Sequence, residues 1–179
     1  YGTLRDQVAA MRGGLSALGV GRNDRVAMMC GNSRYFVVTY LAVLGLGAVA
    51  VPLNPASPGP ELEHELITIA PVAAVVEPGA MAAFTSIDRS LVPSLRCVIA
   101  TDGAQGPDVT SIDSLLVSPP AAMVEVEPSD LAVMAFTSGT AGMPRAAMLS
   151  HGNLVTNIVQ SRSSPIHIES TDVVYGVLP

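Results

Sequence analysis

The amino-acid sequence predicts an α/β fold, with an open, mainly parallel sheet flanked by helices. Short apolar runs recur along the first 100 residues, and stretches with the apolar spacing of helices alternate with them. Strands that are apolar on both faces are typical of parallel sheets covered by helices on each side. The chain has 179 residues, 49% of them hydrophobic, which is enough to bury a sizeable core.

The first predicted helix covers residues 4–18. Thr3 is the expected cap, apolar residues recur at spacings of four and three, and Gly19 is the expected stop. Gly13 and Gly14 are expected to weaken this helix by about 1 kcal/mol each relative to alanine.

Alternating strands and helices follow up to residue 100. The helix predicted at 34–44 is apolar nearly all round, so it must be covered on most sides. In the next helix Leu62, Leu66 and Ile69 share one face. The expected elements are strand 24–30, helix 34–44 capped by Asn32 or Ser33, strand 47–53, a helix opening at Pro60 and ended by Pro71, strand 72–76, a weaker helix at 79–86 and strand 95–100.

The stretch from Phe36 to Leu53 is the part of the sequence most like a membrane span. It has 18 residues without a charge, which just reaches the length of a spanning helix. Gly45 and Gly47 interrupt it and its second half has strand character, so a buried helix followed by a buried strand is the better interpretation. With no signal peptide pattern either, we expect a soluble protein without an integral membrane span.

Charge and cysteine content exclude other classes. Nine basic residues stand against 15 acidic ones, so no broad basic surface is available for nucleic acid. Cys30 and Cys97 lie in apolar runs without a CxxC pattern or a neighbouring histidine, so buried free thiols are expected. A reducing, cytoplasmic location fits this reading.

Glycine and proline interrupt residues 101–129, which leave room for one short helix near 113–116 and are interpreted as a surface linking region. The run DLAVMAF at 130–136 resumes strand character. It leads directly into the sequence TSGTAGMPR, whose small residues are followed by a cation. Glycines at 139 and 142 let a ligand approach the main chain closely, and successive N–H groups of such a loop suit an anion.

We therefore predict that this loop binds a polyphosphate. Its hydroxyl groups add donors, and Arg145 adds a planar, permanently charged group suited to phosphate oxygens. A Walker loop is excluded because Met143 follows Gly142, and the G-x-x-G spacing excludes a dinucleotide fingerprint. The candidate phosphate-binding residues are Thr137, Ser138, Gly139, Thr140, Ala141, Gly142, Met143, Pro144 and Arg145.

The loop resembles the phosphate-binding signature of the adenylate-forming (acyl-CoA synthetase, AMP-binding) superfamily. That pattern reads Tyr/Phe-Thr-Ser-Gly-Thr-Thr-Gly-x-Pro-Lys-Gly-Val, followed by Leu-Ser-His. The matching residues here are Phe136, Thr137, Ser138, Gly139, Thr140, Gly142, Pro144, Leu149, Ser150, His151, Asn153 and Leu154. The upstream runs LGVGRNDRVAMMCGNS and LGLGAVAVPLNP are also similar to the family, so the resemblance spans nearly the whole chain.

Three residues depart from the family pattern. Ala141 replaces threonine and removes a hydroxyl, Arg145 replaces lysine and changes the reach of the charge, and Ala146 replaces glycine and restricts the backbone. A second interpretation is therefore a non-catalytic module, in which a degenerate adenylation loop binds nucleotide or a partner protein without turnover.

The resemblance implies the amino-terminal part of the large domain of an ATP-dependent carboxylic-acid ligase. Such enzymes form an acyl adenylate and then an acyl thioester, using ATP, Mg²⁺ and coenzyme A. A fatty acid is the preferred substrate class, with amino-acid and aryl-acid ligases as alternatives. On this basis the chain divides into a first α/β sheet region (1–100), a surface linking region (101–129) and an incomplete region of strand, phosphate loop, helix and next strand (130–179). No catalytic residue or metal ligand is identified, and we expect the 179 residues alone to be inactive.

Other polar residues have simpler explanations. Ser150 precedes a helical pattern, so it is interpreted as a helix cap rather than a ligand contact, and His151 as a structural histidine. His64 lies between two glutamates, one of them Glu65, on a face expected to be exposed. Neither His64 nor His167 has a constellation of reactive residues around it.

Overall fold

The computed structural model of the protein describes residues 1–102, 108–137, 145–163, 169 and 171–173. Within them, helices cover both faces of a seven-stranded sheet. The strands are β1 (Arg25–Met29), β2 (Val49–Pro52), β3 (Ala73–Val76), β4 (Cys97–Ala100), β5 (Val109–Ser111), β6 (Leu131–Thr137) and β7 (Arg145–Ser150). The helices are α1 (Gly2–Ala17), α2 (Arg34–Gly45), α3 (Gly59–Ile69), α4 (Pro78–Thr85), α5 (Ile112–Leu115) and α6 (His151–Arg162), with a 3₁₀ turn at Arg89–Leu91.

The sheet is mainly parallel, as predicted. Its strand order is β5-β4-β3-β1-β2-β6-β7. Every neighbouring pair is parallel except β6 and β7, which are antiparallel. The carboxyl ends of β1, β2, β3 and β6 therefore lie along the same side of the sheet, which we call its carboxyl edge.

Alternating side chains of the central strand divide the core into two layers. Val26 and Met28 of β1 pack with α1, α2 and α5 on one face. Ala27 and Met29 pack with α3 and α4 on the other. All four side chains are fully buried. A strand covered on both sides must be apolar at consecutive positions, which explains the uninterrupted run that predicted it.

Helix α1 begins earlier than predicted. The carbonyl of Tyr1 accepts the first helical hydrogen bond, from the amide of Arg5 at 3.0 Å, so Tyr1 is the N-cap. The prediction of Thr3 as the cap was wrong, because Thr3 already lies within the first turn. At the other end Gly19 has φ of 82°, and the amide of Val20 donates to the carbonyl of Leu15, so the helix stops where glycine predicted.

Gly13 and Gly14 of α1 allow other segments to approach the helix closely. A β-carbon at position 14 would lie 2.8 Å from the β-carbon of Leu115, and one at position 13 would overlap the carbonyl oxygen of Pro119. The two glycines therefore have a packing role that their low helix propensity does not reveal.

The starts and ends of α2 and α3 follow sequence signals. Of the two candidate caps for α2, Ser33 is the one that acts, because its hydroxyl accepts from the amide of Phe36 at 3.3 Å. Helix α3 has Pro60 in its first turn and ends at Ile69, before Pro71. No helix among the described residues combines the length and apolar character needed to cross a bilayer.

Both cysteines are free thiols, as predicted. Cys30 is buried, and its thiol donates to the carbonyl of Val75 at 3.7 Å. Burial, followed by the negative charge of Glu77, raises the pKa of Cys30 to about 12. Cys97 is only partly buried.

Two strands were absent from the predicted elements. β5 pairs with β4 at one end of the sheet, and β7 pairs with β6 at the other. After β5, the short helix α5 buries Ile112 and Leu115 against the α1 and α2 layer.

Candidate functional site

The candidate loop connects the antiparallel strands β6 and β7. Thr137 and Arg145 are cross-strand partners at the end of this pair, and the Thr137 hydroxyl donates to the carbonyl oxygen of Arg145 at 3.4 Å. The predicted residues Ser138, Gly139, Thr140, Ala141, Gly142, Met143 and Pro144 fall between them in sequence and lie outside the described residues. Thr137 and Arg145 thus mark the two ends of the candidate loop.

This pair lies at the edge of the sheet where α/β proteins commonly bind ligands. β6 runs parallel to β2, with Val133 opposite Ala50, so β6 ends at the same edge as β1, β2 and β3. In open α/β sheets the crevice outside the carboxyl ends of the strands is the usual ligand position. The loop leaves the sheet at this edge.

Arg145 has the charge and exposure that an anion requires. Its side chain is exposed, and it forms no ion pair with the residues that the structure describes. A guanidinium group presents its donors in a planar fork that matches phosphate oxygens. This geometry leaves Arg145 available to bind an anion at the end of β6.

Of the three departures from the family pattern, Ala146 and Arg145 lie in β7 and Ala141 lies outside the described residues. Ala146 is paired with Phe136 in regular antiparallel register. A strand position accepts alanine without strain, so Ala146 causes no irregularity in the described part of the hairpin.

A polar network anchors the start of β6. The carboxylate of Asp130 accepts from Arg22 Nη2 at 2.5 Å and from the amide of Glu127 at 2.8 Å. Its main-chain carbonyl accepts from the amide of His151 at 3.0 Å. Asp130, at the start of β6, therefore connects the turn before β1 to the start of α6.

Ser150 caps α6, as predicted. Its hydroxyl accepts from the amide of Asn153 at 3.2 Å, and Asn153 Oδ1 accepts from the amide of Ser150 at 2.9 Å. This reciprocal capping box uses the serine hydroxyl for structure. His151 Nε2 is buried and has no hydrogen-bond partner among the described residues. His167 lies outside the described residues, and His64 is partly exposed on α3.

An acidic cavity of about 180 Å³ lies beside the first residue of the candidate loop. It is bounded by the segment at the end of β2, by α3 and by the end of β6. Its polar lining comes from Asn54, Glu61, Glu65 and Thr137, and apolar residues at the ends of β2 and β6 complete it. Thr137 therefore belongs to both the cavity wall and the end of the candidate loop.

Glu65 is buried, contrary to the exposed position expected from its neighbours. Only 4% of the residue is exposed, and its Oε2 atom has no hydrogen-bond partner among the described residues. Position 65 lies three residues after Leu62 and four before Ile69, on the apolar stripe of α3 that faces the sheet. A glutamate at a core position of a helical pattern was the available signal, and the adjacent acidic residues concealed it.

The environment of Glu65 favours its neutral form. Burial, followed by the negative charge of Glu61, raises the pKa of Glu65 from its ordinary value of 4.5 to about 7. Within the described residues there is no group of three or more His, Cys, Asp or Glu side chains that could hold a metal ion.

Comparison with known proteins identifies the family of this arrangement. The chain is 32% identical over 182 residues to 4-coumarate–CoA ligase 5 from Oryza sativa subsp. japonica, covering 98% of this chain and 32% of that protein. The acetoacetyl-CoA synthetase structure from Streptomyces lividans superposes with a TM-score of 0.81 at 25% identity, over 90% of this chain and 27% of the other. A long-chain-fatty-acid-CoA ligase structure from Archaeoglobus fulgidus gives 0.77 at 27% identity, over 89% and 31%.

These likenesses confirm the predicted fold class, and the chain spans about a third of the length of the rice ligase. The model of the AMP-binding enzyme family matches residues 1–179. The protein therefore belongs to the AMP-binding enzyme family.

Proposed function

We propose that the chain supplies the triphosphate-binding part of an ATP-dependent carboxylic-acid ligase. In the first reaction a substrate carboxylate attacks the α-phosphorus of ATP, which gives an acyl adenylate and releases pyrophosphate. In the second, a thiol attacks the acyl carbon, which gives a thioester and releases AMP. The rice ligase is about three times as long as this chain, and we assign both reactions to the complete protein.

The observation that carries this proposal is the pairing of Thr137 with Arg145 at the carboxyl edge of the sheet. It brings the two ends of a glycine-rich segment together beside an exposed cation without an ion-pair partner among the described residues. The ligand that suits hydroxyl donors, main-chain amides and a guanidinium group is a polyphosphate.

The proposed role of these donors is electrostatic. Negative charge grows on the β- and γ-phosphates as pyrophosphate leaves, and fixed donors stabilise that charge more than they stabilise bound ATP. A well-placed donor of this kind is worth a few kcal/mol of transition-state stabilisation. When bound, Mg²⁺ would neutralise part of the triphosphate charge.

The proposed reaction also needs an acid to activate and a thiol to accept the acyl group. A fatty acid remains our first substrate class, supported by the likeness to the archaeal fatty-acid ligase. An aryl-propenoic acid is the second, because the rice 4-coumarate ligase is 32% identical. Coenzyme A is the proposed thiol. The proposal includes a cytoplasmic location, which the free thiols of Cys30 and Cys97 support.

The test is acid-dependent exchange of radiolabelled pyrophosphate into ATP by the complete protein. A panel of octanoic, hexadecanoic, 4-coumaric and acetoacetic acids would identify the substrate class. We expect Arg145→Ala to lower exchange at least tenfold, Arg145→Lys to retain most of it, and Arg162→Ala to leave it unchanged. Arg162 is a matched control because it is an exposed arginine in the last turn of α6 and is not part of the candidate loop.

The chain of 179 residues should bind ATP weakly and catalyse no exchange. Exchange by this chain alone would contradict the proposal that the reaction requires the complete protein. Equal exchange by the complete protein and its Arg145→Ala variant would remove Arg145 from the site. If the complete protein binds ATP but catalyses no exchange with any acid, the non-catalytic alternative is favoured.

The non-catalytic alternative has its own test. A degenerate loop should gain ATP affinity when Ala141→Thr and Ala146→Gly are introduced together, whereas a working loop should gain little. The regular pairing of Ala146 with Phe136 favours a working loop, since a glycine is not required at that strand position.

A further inference from the structure

The acidic cavity beside Thr137 contains a polar group that its described surroundings leave unsatisfied. Glu65 is 96% buried, and its Oε2 atom lacks a hydrogen-bond donor among the described residues. Burying an acceptor without a partner is unfavourable, and burying an unpaired charge is worse. A proton or a cation on this carboxyl group would offset that cost.

A second carboxylate faces the same space. Glu61 precedes Glu65 by four residues on α3, so the two side chains lie on one face of the helix, and both line the cavity. They are the only titratable groups among the described lining residues, and no basic side chain lies among those residues. The local charge balance consequently favours a cationic occupant.

Each polar residue that lines the cavity can offer an oxygen atom as a metal ligand. Besides the two carboxylates these ligands include the Thr137 hydroxyl and Asn54 Oδ1, which accepts from the amide of Ala56 at 3.0 Å and keeps a second lone pair. Hard divalent cations prefer such ligands, and Mg²⁺ is commonly held by one or two carboxylates while it keeps several waters.

The size of the cavity agrees with a hydrated ion. A volume of about 180 Å³ corresponds to roughly six waters at ~30 Å³ each. This leaves room for a cation that retains part of its hydration shell. Bound water can complete the coordination of such a cation, so two carboxylate ligands from the protein are enough even though the described residues hold no cluster of three or more acidic, histidine or cysteine side chains.

We propose that the cavity between the end of β2, α3 and the end of β6 binds a hydrated divalent cation of the Mg²⁺ type, held by Glu61 and Glu65. The occupant sits against Thr137 and adds positive charge at the first residue of the candidate loop. This proposal goes beyond the proposed function, because the ion binds without nucleotide.

Mn²⁺ alone is the probe, because its free ion has an electron paramagnetic resonance signal that disappears on binding. The chain is freed of metal with a chelator, passed into chelator-free buffer at pH 7.5 and titrated without nucleotide. We expect one ion per chain, at least tenfold weaker binding in Glu65→Gln and in Glu61→Gln, and unchanged binding in Glu127→Gln. Glu127 is the matched control because it is an exposed glutamate outside the cavity. Circular dichroism of each variant checks that it is folded.

Three results would overturn the proposal: no stoichiometric Mn²⁺ binding, equal binding by all four proteins, or equal weakening in Glu127→Gln. The first would mean that a proton alone satisfies Glu65. The outcome is independent of the proposed function, since Arg145→Ala should lose ATP binding while it keeps Mn²⁺ binding.

Discussion

The guanidinium group of Arg22 lies 2.5 Å from the carboxylate of Asp130, 108 residues further along the chain. Arg22 also donates to the carbonyl oxygen of Glu125 at 2.7 Å. Asp130 in turn accepts from the amide of Glu127. The pair thus connects the turn before β1 to the segment that leads into β6, the strand that ends at the candidate loop.

Replacement of Asp130 by alanine should reduce the free energy of unfolding by about 1 to 2 kcal/mol, because it removes two acceptor contacts at once. Urea denaturation would measure the loss. Asp6→Ala is the control, since the Arg5–Asp6 pair is highly exposed and its loss should cost less than about 0.5 kcal/mol. A double-mutant cycle with Arg22→Ala should show coupling, and strictly additive losses would contradict the proposed connection.

For Gly13 in α1, helix propensity and packing predict stability changes of opposite sign. Helix propensity alone says that Gly13→Ala should stabilise the protein by about 1 kcal/mol. The new β-carbon would instead meet the carbonyl of Pro119, so we expect a loss of about 1 to 3 kcal/mol.

The control is Gly2→Ala, where no described atom outside its own helix turn and chain neighbours lies within 4 Å of the added β-carbon, so stability should be unchanged or higher. Thermal or urea unfolding of the unsubstituted protein and the two variants would measure these changes in stability. A stabilised Gly13→Ala variant would show that residues near Pro119 do not pack against α1 as described.

Most of the central sheet could be predicted because burial imposes a strong pattern. Strands β1 to β4 and the first part of β6 are covered on both faces, which requires consecutive apolar residues. The strands that escaped prediction, β5 and β7, are the two edges of the described sheet. An edge strand pairs on one side only and is less buried, so its residues carry little sequence signal.

The candidate loop stays a prediction from the sequence, and the buried acid beside it was missed. The glycine and hydroxyl spacing between Thr137 and Arg145 predicts a phosphate loop, because successive main-chain N–H groups in such a segment suit an anion. Glu65 was concealed since local charge predicts exposure, whereas its helical position relative to Leu62 and Ile69 determines its burial. A buried acid opposes local preference, and such conflicts are expected at functional sites.

Replacement of Ser150 separates a capping role from a ligand role. The capping box predicts that Ser150→Ala lowers the free energy of unfolding by about 1 kcal/mol, while Ser150→Thr retains most of the stability. ATP affinity, measured by calorimetry below the unfolding temperature, should be the same for all three proteins. A large loss of affinity in the folded Ser150→Ala variant would identify the hydroxyl as a ligand contact.

Glu65 should make the protein less stable as the pH rises. Its pKa is about 7 in the folded chain against an ordinary value of 4.5, chiefly because of burial and secondarily because of Glu61. The folded state therefore binds more protons than the unfolded state between these values, so the contribution of Glu65 to stability is fully present below about pH 4.5 and is lost as the pH rises through 7. A shift of this size corresponds to about 3 kcal/mol.

Urea unfolding at pH 5 and pH 8, with chelator present to remove divalent cations, would measure this dependence. Between these pH values Glu65→Gln should lose about 2 to 3 kcal/mol less stability than the unsubstituted protein, because its amide does not titrate. Each variant is compared with itself, so a constant cost of burying the amide cancels. Glu127→Gln should retain the original dependence, since Glu127 is exposed. Identical pH profiles for the unsubstituted protein and Glu65→Gln would show that Glu65 ionises in the folded chain as it does in the unfolded one.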